Sequence, residues 1–337
     1  MSSQVVVEAP GVHRVEEHTP RAPGAGEALV RVHAAGICGS DREVYQGNRP
    51  EGYVRYPLTP GHEWSGTVEA VGAGVPVSLV GRKVVGEGFR NCQVCDRCHA
   101  GETTLCTDGY EETGFTQPGA MAATLTLPAR LLHALPKDAD LTAAALLEPA
   151  ACIAAAALKA NARPGERVAV VGTGTLGMFA VQFLRASSPG ELLVVGTRRD
   201  REALARQFGA TDFRTKDTEN SALPGDFDVV IETAGSADAA RTAAALLRRG
   251  GRLVLTGIPA PGADGLDPTE LVVRQLEVHT VFGAPPDAWS HTVRVFAAGL
   301  LDPVPLVTHE LPLTEFSRAI ELVGSGDPKV GKVLLRP

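Results

Sequence analysis

The sequence predicts a two-domain α/β chain: a mainly β N-terminal half, a barrel or sandwich of short strands, then a doubly wound parallel sheet with helices on both faces. Three observations carry this. The 337 residues exceed what one small core needs. From Val5 to about Leu135 the apolar runs are short and broken by Gly and Pro at close intervals. Beyond Glu148, strand-like runs alternate with helix-period segments, the pattern of a parallel sheet built from crossovers.

In order, VVVEAP, EALVRVHAAGI, GTVEAVG, RKVVGEG and ATLTLP supply the strands of the first half. EPAACIAAAALKA, with Pro149 near its first turn, opens a helix and a new unit. RVAVVG (167–172) is a buried-strand run, and Leu176, Phe179, Ala180 and Phe183 follow at helical spacing. LLVV (192–195), a helix near REALARQFG and the strand DVVIETAG come next. AARTAAALLRRG reads as a helix stopped by Gly250, and RLVLTGI and EVHTVFG as two more strands. After Pro285 the chain offers a helix (DAWSHTVRVFAAG), a short strand around PLVTHELPL, a helix near TEFSRAIELV and a last strand KVLLR.

Composition narrows the function classes. With 44% hydrophobic and 21% charged residues the chain can bury a substantial interior. A net charge of -7, with no block of like charge, argues against nucleic-acid and membrane-surface partners. MSSQVVVEAP lacks the basic flank and apolar core of a signal peptide, and no apolar run reaches the ~18 residues of a membrane helix, so a cytoplasmic location is expected.

Six cysteines over 337 residues put roughly 0.3 in a 15-residue window by chance. The window 92–106 holds four, Cys92, Cys95, Cys98 and Cys106. Their C-x2-C-x2-C-x7-C spacing lets four thiolates converge on one tetrahedral zinc, a closed structural site. An iron–sulfur cluster or two disulfides would use the same residues. Cys38 and Cys152 remain. Cys38 lies in AAGICGSD, and GHEWSG follows with His62 and Glu63 adjacent. A thiolate, an imidazole and a carboxylate can hold a zinc that keeps one position open, as catalysis requires. A buried thiol and a capping or surface His-Glu pair are the structural alternatives.

Gly172, Gly174 and Gly177 follow the strand VAVV and open an amphipathic helix, the context a dinucleotide pyrophosphate needs. Thr173, Thr175 and Leu176 complete that loop. An NAD site places an acid ~20 residues further on, for the ribose 2′-hydroxyl. That position is Gly196, and Thr197, Arg198 and Arg199 follow it: a hydroxyl and two cations where a 2′-phosphate would sit. Two arginines just before a helix start are opposed by the macrodipole unless an anion compensates. The expectation is NADP(H).

CGSD, PGHEWSG, the four-cysteine loop, LLEPA, GTGTLG, ETAG and PLVTHELPL occur in this order across nearly the whole chain. The sequence thereby resembles the zinc-dependent medium-chain dehydrogenases, most closely the polyol and threonine dehydrogenase branch. The resemblance implies a GroES-like β-barrel catalytic domain at 1–148, completed by 290–337, and a Rossmann dinucleotide-binding domain at 149–289, with zinc and nicotinamide meeting in a cleft between them. It makes Cys38, His62 and Glu63 ligands of a catalytic zinc, which Glu148 approaches directly or through water. Ser40 matches the hydroxyl residue that bonds the reacting oxygen, and Asp41 the carboxylate that orients a ligand. The branch usually has histidine five residues after the cysteine as the outer end of a proton relay; here that residue is Glu43.

The implied reaction is hydride transfer between NADP(H) and a secondary alcohol or ketone, with reduction favoured because NADPH is typically the reducing pool. Zinc dehydrogenases that use NADP commonly carry Gly-Ser-Arg where this chain has Gly-Thr-Arg. By analogy residues 88–91 and 108–119, with Tyr45 and Trp64, border the substrate, and Glu43, Glu111 and Glu112 favour a sugar, polyol, amino sugar or aminocyclitol. A homodimer or homotetramer is expected, with EVHTVFG as the pairing edge strand. Cys152, one helical turn after Glu148, reads as a plain core thiol or as a residue lining the metal pocket. The rival readings are a non-enzymatic zinc and nucleotide-binding protein, or a zinc-independent reductase of carbon–carbon double bonds on the same fold.

Overall fold

The computed structural model describes residues 2–215, 225–259, 262 and 265–337. The first part of the chain contains β1 (Ser3–Ala9), β2 (Val12–Glu17), β3 (Glu27–Gly36), α1 (Gly39–Gln46), β4 (Glu63–Val71), β5 (Lys83–Gly86), α2 (Asp96–His99), β6 (Thr124–Pro128), β7 (Leu132–Ala134) and α3 (Leu141–Ala144). The middle contains α4 (Leu147–Ala160), β8 (Arg167–Val171), α5 (Thr175–Arg185), β9 (Glu191–Gly196), α6 (Glu202–Phe208), β10 (Asp212–Thr215), β11 (Phe227–Glu232), α7 (Ala237–Leu246), β12 (Leu247–Leu255), α8 (Pro268–Arg274) and β13 (Glu277–Thr280). The last part adds α9 (Pro286–Ala297), β14 (Val307–Pro312), α10 (Phe316–Gly324) and β15 (Lys332–Arg336).

The chain divides into two compact units, one of residues 1–148, 285–297 and 302–337, the other of 149–284 and 298–301. In the first, the strands run β14-β15-β3-β4-β5-β7, with β6 also pairing β3, and β1 and β2 form a separate hairpin. Strand alternation explains its core: Ala28, Val30 and Val32 on β3 and Leu125 and Leu127 on β6 are buried with Trp64, Phe316 and Val333 in one cluster. Close approach is purchased with glycine at Gly66, where a Cβ would stand 2.4 Å from the Arg31 carbonyl oxygen across the β3–β4 pair.

In the second unit the order β10-β9-β8-β11-β12-β13 is parallel throughout. Ala169, Val171, Leu193, Val195 and Val230 pack in one cluster with Ala239, Ala243 and Leu246 of α7. The alternate residues Val168, Val170, Leu192, Val194, Val229 and Ile231 are equally buried, so both faces of the central strands are covered, as their continuous apolar runs require. α/β content, a β-rich unit and a doubly wound parallel sheet are thus the observed fold. Among the described residues no helix is long and apolar enough to cross a membrane.

Three local features differ from expectation. The helix in AARTAAALLRRG ends at Leu246, and Leu247 already belongs to β12, so Gly250 lies in a strand and not at a helix stop. Arg248 bonds Asp228 at 2.6 Å, and Arg274 of α8 reaches the Ala244 carbonyl at 3.1 Å, so tertiary partners end α7 early. α8 itself escaped the reading although Asp267 caps it and Pro268 opens it. Trp64, expected by analogy at the substrate, is 2% exposed inside the core, against Gly86, where a Cβ would touch its ring at 2.7 Å.

Candidate metal and dinucleotide sites

Three strand ends meet at one corner of the first unit. β3 and β4 are antiparallel with Gly36 opposite Glu63, so Cys38, two residues past Gly36, and His62, one before Glu63, come off adjacent strand ends. The Cys38 thiol, an imidazole nitrogen of His62 and a carboxylate oxygen of Glu63 all lie within 4.8 Å of one another. Cys38 is also the N-cap of α1, and Asp41 closes a capping box by accepting from the Cys38 backbone N–H at 2.8 Å.

Asp41 is buried, and its Oδ1 faces His62 Nδ1 at 3.6 Å. A proton on Nδ1 directed at this carboxylate leaves Nε2 as the donor atom. Burial works against an imidazolium here, but Asp41 and Cys38 outweigh it and hold the His62 pKa well above its usual value. Asp41 Oδ1, His62 Nδ1 and Glu63 Oε2 are buried without an aligned hydrogen-bond partner. Orphaned polar atoms beside a thiol, an imidazole and a carboxylate fit a zinc ion.

Ser40 sits in the first turn of α1, partly buried, two residues from Cys38. Glu43, on the same helix, is exposed and lies 3.8 Å from Arg49. Glu148 lies near the start of α4 and outside the trio of converging ligand atoms. Burial pushes its carboxyl up to about 7 against the pull of His62, and Glu63 and Glu112 add to the rise. Cys152, half-buried, belongs to neither cysteine group.

Sequence reasoning missed Arg49 and Lys332. Arg49 stacks over the Phe115 ring at 3.8 Å, and Phe115 lies against the His62 imidazole with centroids 4.7 Å apart. Arg49 donates to the Tyr110 hydroxyl at 2.9 Å and lies 3.7 Å from Glu112. Of the carboxylates expected near the substrate, Glu112 is buried and engaged by Tyr110 and Arg49, and Glu111 lies 3.6 Å from Arg55 in a partly exposed pair. Tyr45 is occupied as well, donating to the Gly11 carbonyl and packing edge-on to Phe316.

Cys92, Cys95, Cys98 and Cys106 also converge, their sulfur atoms all within 4.8 Å. Backbone N–H groups of Cys92 and Cys95 point at the sulfurs of Cys106 and Cys92, each at 3.4 Å. The backbone N–H of Thr107 lowers the Cys95 pKa, while burial raises that of Cys98. Arg130 clamps Asn91, the residue before Cys92, through its side chain at 3.0 Å and its carbonyl at 2.6 Å. Four thiols in this geometry, with N–H donors to stabilise thiolates, fit a closed zinc site.

In the second unit Gly172 leaves β8 at φ +120°, and a Cβ there would meet Thr233 Oγ1 at 2.4 Å. A Cβ on Gly177 would stand 2.1 Å from the Gly172 carbonyl oxygen, so this glycine lets α5 pack on the turn. Gly174, the N-cap of α5, has open space where its Cβ would be. Thr173, Thr175 and Leu176 lie between these glycines, Thr175 opening the helix. Tight turn, open approach and close packing are what a pyrophosphate at a helix N-terminus requires. Gly196 ends β9 beside this turn, and a Cβ there would strike the Thr173 methyl at 2.3 Å. Thr197 is exposed, Arg198 bonds Asp200 at 2.7 Å, and Arg199 is 74% exposed, 3.9 Å from Glu202.

Residues 24–137 match the alcohol dehydrogenase GroES-like domain, and residues 175–298 match the zinc-binding dehydrogenase domain. The chain belongs to the zinc-dependent medium-chain dehydrogenase family. It is 31% identical to an L-threonine 3-dehydrogenase of Coxiella burnetii over 97% of this chain and 96% of that one. A zinc-binding dehydrogenase from Sinorhizobium meliloti, bound to NADP, superposes with a TM-score of 0.91 at 27% identity, covering 100% of this chain and 99% of that one. A short chain alcohol dehydrogenase from Escherichia coli, complexed with NADH, superposes at 0.89 with 26% identity, again over 100% and 99%. As a member of this dehydrogenase family the chain is an oxidoreductase.

Proposed function

We propose that the protein is an NADP(H)-dependent oxidoreductase interconverting a hydroxylated secondary alcohol and its ketone, with one zinc held by Cys38, His62 and Glu63 and a second by Cys92, Cys95, Cys98 and Cys106. The observation that carries this reading is the convergence of the Cys38, His62 and Glu63 donor atoms within 4.8 Å. Zinc, when bound, supplies a Lewis acid that polarises the substrate oxygen, and the nicotinamide supplies or accepts the hydride.

The chain's own residues do the rest. Asp41 fixes the Cys38 backbone and places a carboxylate 3.6 Å from His62 Nδ1, a charge that favours a proton on that nitrogen and leaves Nε2 for the metal. Ser40 donates to or accepts from the substrate oxygen, since a hydroxyl does both. Glu43, exposed on the same helix, exchanges that proton with water. Glu148 supplies a second, buried carboxyl near the ligands, able to hold or pass on a proton.

For the coenzyme, the Gly172–Gly177 turn receives the pyrophosphate, and Thr197, Arg198 and Arg199 receive the 2′-phosphate. Arg198 must leave Asp200 to do so, and Arg199 is the more available cation. The NADP-bound relative supports this choice, while the NADH-bound one marks the alternative. The threonine dehydrogenase relative supports a substrate bearing both hydroxyl and amino groups. Reduction is the favoured direction, the compartment is cytoplasmic, and the assembly is a homodimer or homotetramer joined through β13, an edge strand.

The test is a panel of carbonyls with NADPH and of alcohols with NADP+, run on wild type and Cys38→Ala. Hydroxylated or amino-bearing substrates are expected to turn over with wild type alone. Better turnover of simple aliphatic ketones would reject the substrate class, and equal turnover by Cys38→Ala would reject the metal chemistry.

A further inference from the structure

The two oxygens of Glu63 have different surroundings. Lys332, the first residue of β15, is 6% exposed and donates from Nζ to Glu63 Oε1 at 2.6 Å and to the Ile37 carbonyl at 3.1 Å. It also lies against Oε2, but without hydrogen-bond alignment. Gly36, opposite Glu63 in the strand pair, leaves room for that oxygen: a Cβ there would be 2.4 Å from it. β15 reaches this corner because Leu334 pairs with Gly36 and the Ile37 N–H donates to Val333. A metal seated on the trio therefore shares Glu63 with a buried ammonium. Lysine is rarely buried unless paired, and the hydride chemistry proposed above gives this one no task.

We propose that Lys332 is a positioning residue that governs how Glu63 meets the metal. By donating to Oε1 and lying against Oε2 it limits how the carboxylate can turn toward the ion, and by placing a like charge beside the ion it weakens the metal's hold and leaves it more electrophilic. Two cations within a few ångströms repel strongly when both are out of water. The inference rests on the reading of Cys38, His62 and Glu63 as metal ligands.

Lys332→Met and Lys332→Arg test it on the full chain. The open site is emptied with a mild chelator, the four-thiolate site is left in zinc, and Co2+ is added. Cys38→Ala treated alike gives the blank. Lys332→Met is expected to bind Co2+ about tenfold more tightly, by competition with a chelator. Its d–d absorption is expected to weaken as Glu63 turns a second oxygen to the ion and departs from tetrahedral coordination, while Lys332→Arg keeps the wild-type values. Either change missing in folded Lys332→Met overturns the inference. Should that variant not fold, Lys332→Gln carries the affinity test: it keeps a donor to Oε1 and drops the charge, and unchanged or weaker binding overturns the inference. Failure of wild type to take up Co2+ above the Cys38→Ala blank instead overturns the underlying metal reading.

Discussion

At the residue scale, Asp41 shows how little of a ligand set is the ligands alone. Its carboxylate accepts from the Cys38 N–H and faces His62, two roles that one amide oxygen fills incompletely. Asp41→Asn is expected to lose about 10–100-fold in affinity for the open-site metal, measured by chelator competition, with the thermal midpoint little changed. Arg198 offers a contrasting case. Its guanidinium already pairs with Asp200, in the partly exposed setting where ion pairs contribute little, so a phosphate can displace the aspartate. Arg198→Ala is expected to raise the KM for NADPH about tenfold or more while leaving that for NADH within about twofold. A parallel rise in both would show that Arg198 holds the shared part of the coenzyme.

At the element scale, each site is made where strand meets helix. Gly177→Ala would press a methyl onto the Gly172 carbonyl, so coenzyme binding and stability are expected to fall together, readable by titration and thermal melting. In the cysteine loop, Cys106→Ser removes a sulfur that also accepts the Cys92 N–H. One zinc per chain should be lost and residues 92–106 become open to proteases, because a structural metal contributes on the order of 10 kcal/mol to local order. Both motifs were legible from spacing, since their partners lie close along the chain. The open site was not legible in that way. Its residue types point to a zinc set and the family resemblance supports it, but the β3–β4 register that brings Cys38 and His62 together is not visible in the spacing. Lys332 was out of reach of any local pattern, being placed by β15–β3 pairing from the far end of the sequence. The early stop of α7 was hidden for a similar reason, as the partners of its end include Arg274 on a later helix.

At the scale of the whole molecule, the proposed sites fall in different units: the β-rich unit gathers the proposed metal ligands and the parallel-sheet unit carries the glycine turn proposed for the dinucleotide. The outer strand β13 carries Val278 at 38% exposure, with Phe282 just beyond it at 48%, an apolar edge that pairing with a second copy would cover. Val278→Asp is therefore expected to shift the sedimentation profile toward monomer, and an unchanged assembly would place the interface elsewhere. Turnover depends most on the proposed open metal site. Metal content per folded chain, measured for wild type and Cys38→Ala beside NADPH-linked turnover, tests it most directly. The expected result is two zinc ions in wild type, one in Cys38→Ala, and turnover only in the former. One zinc in both proteins, or full turnover with the cysteine gone, contradicts it.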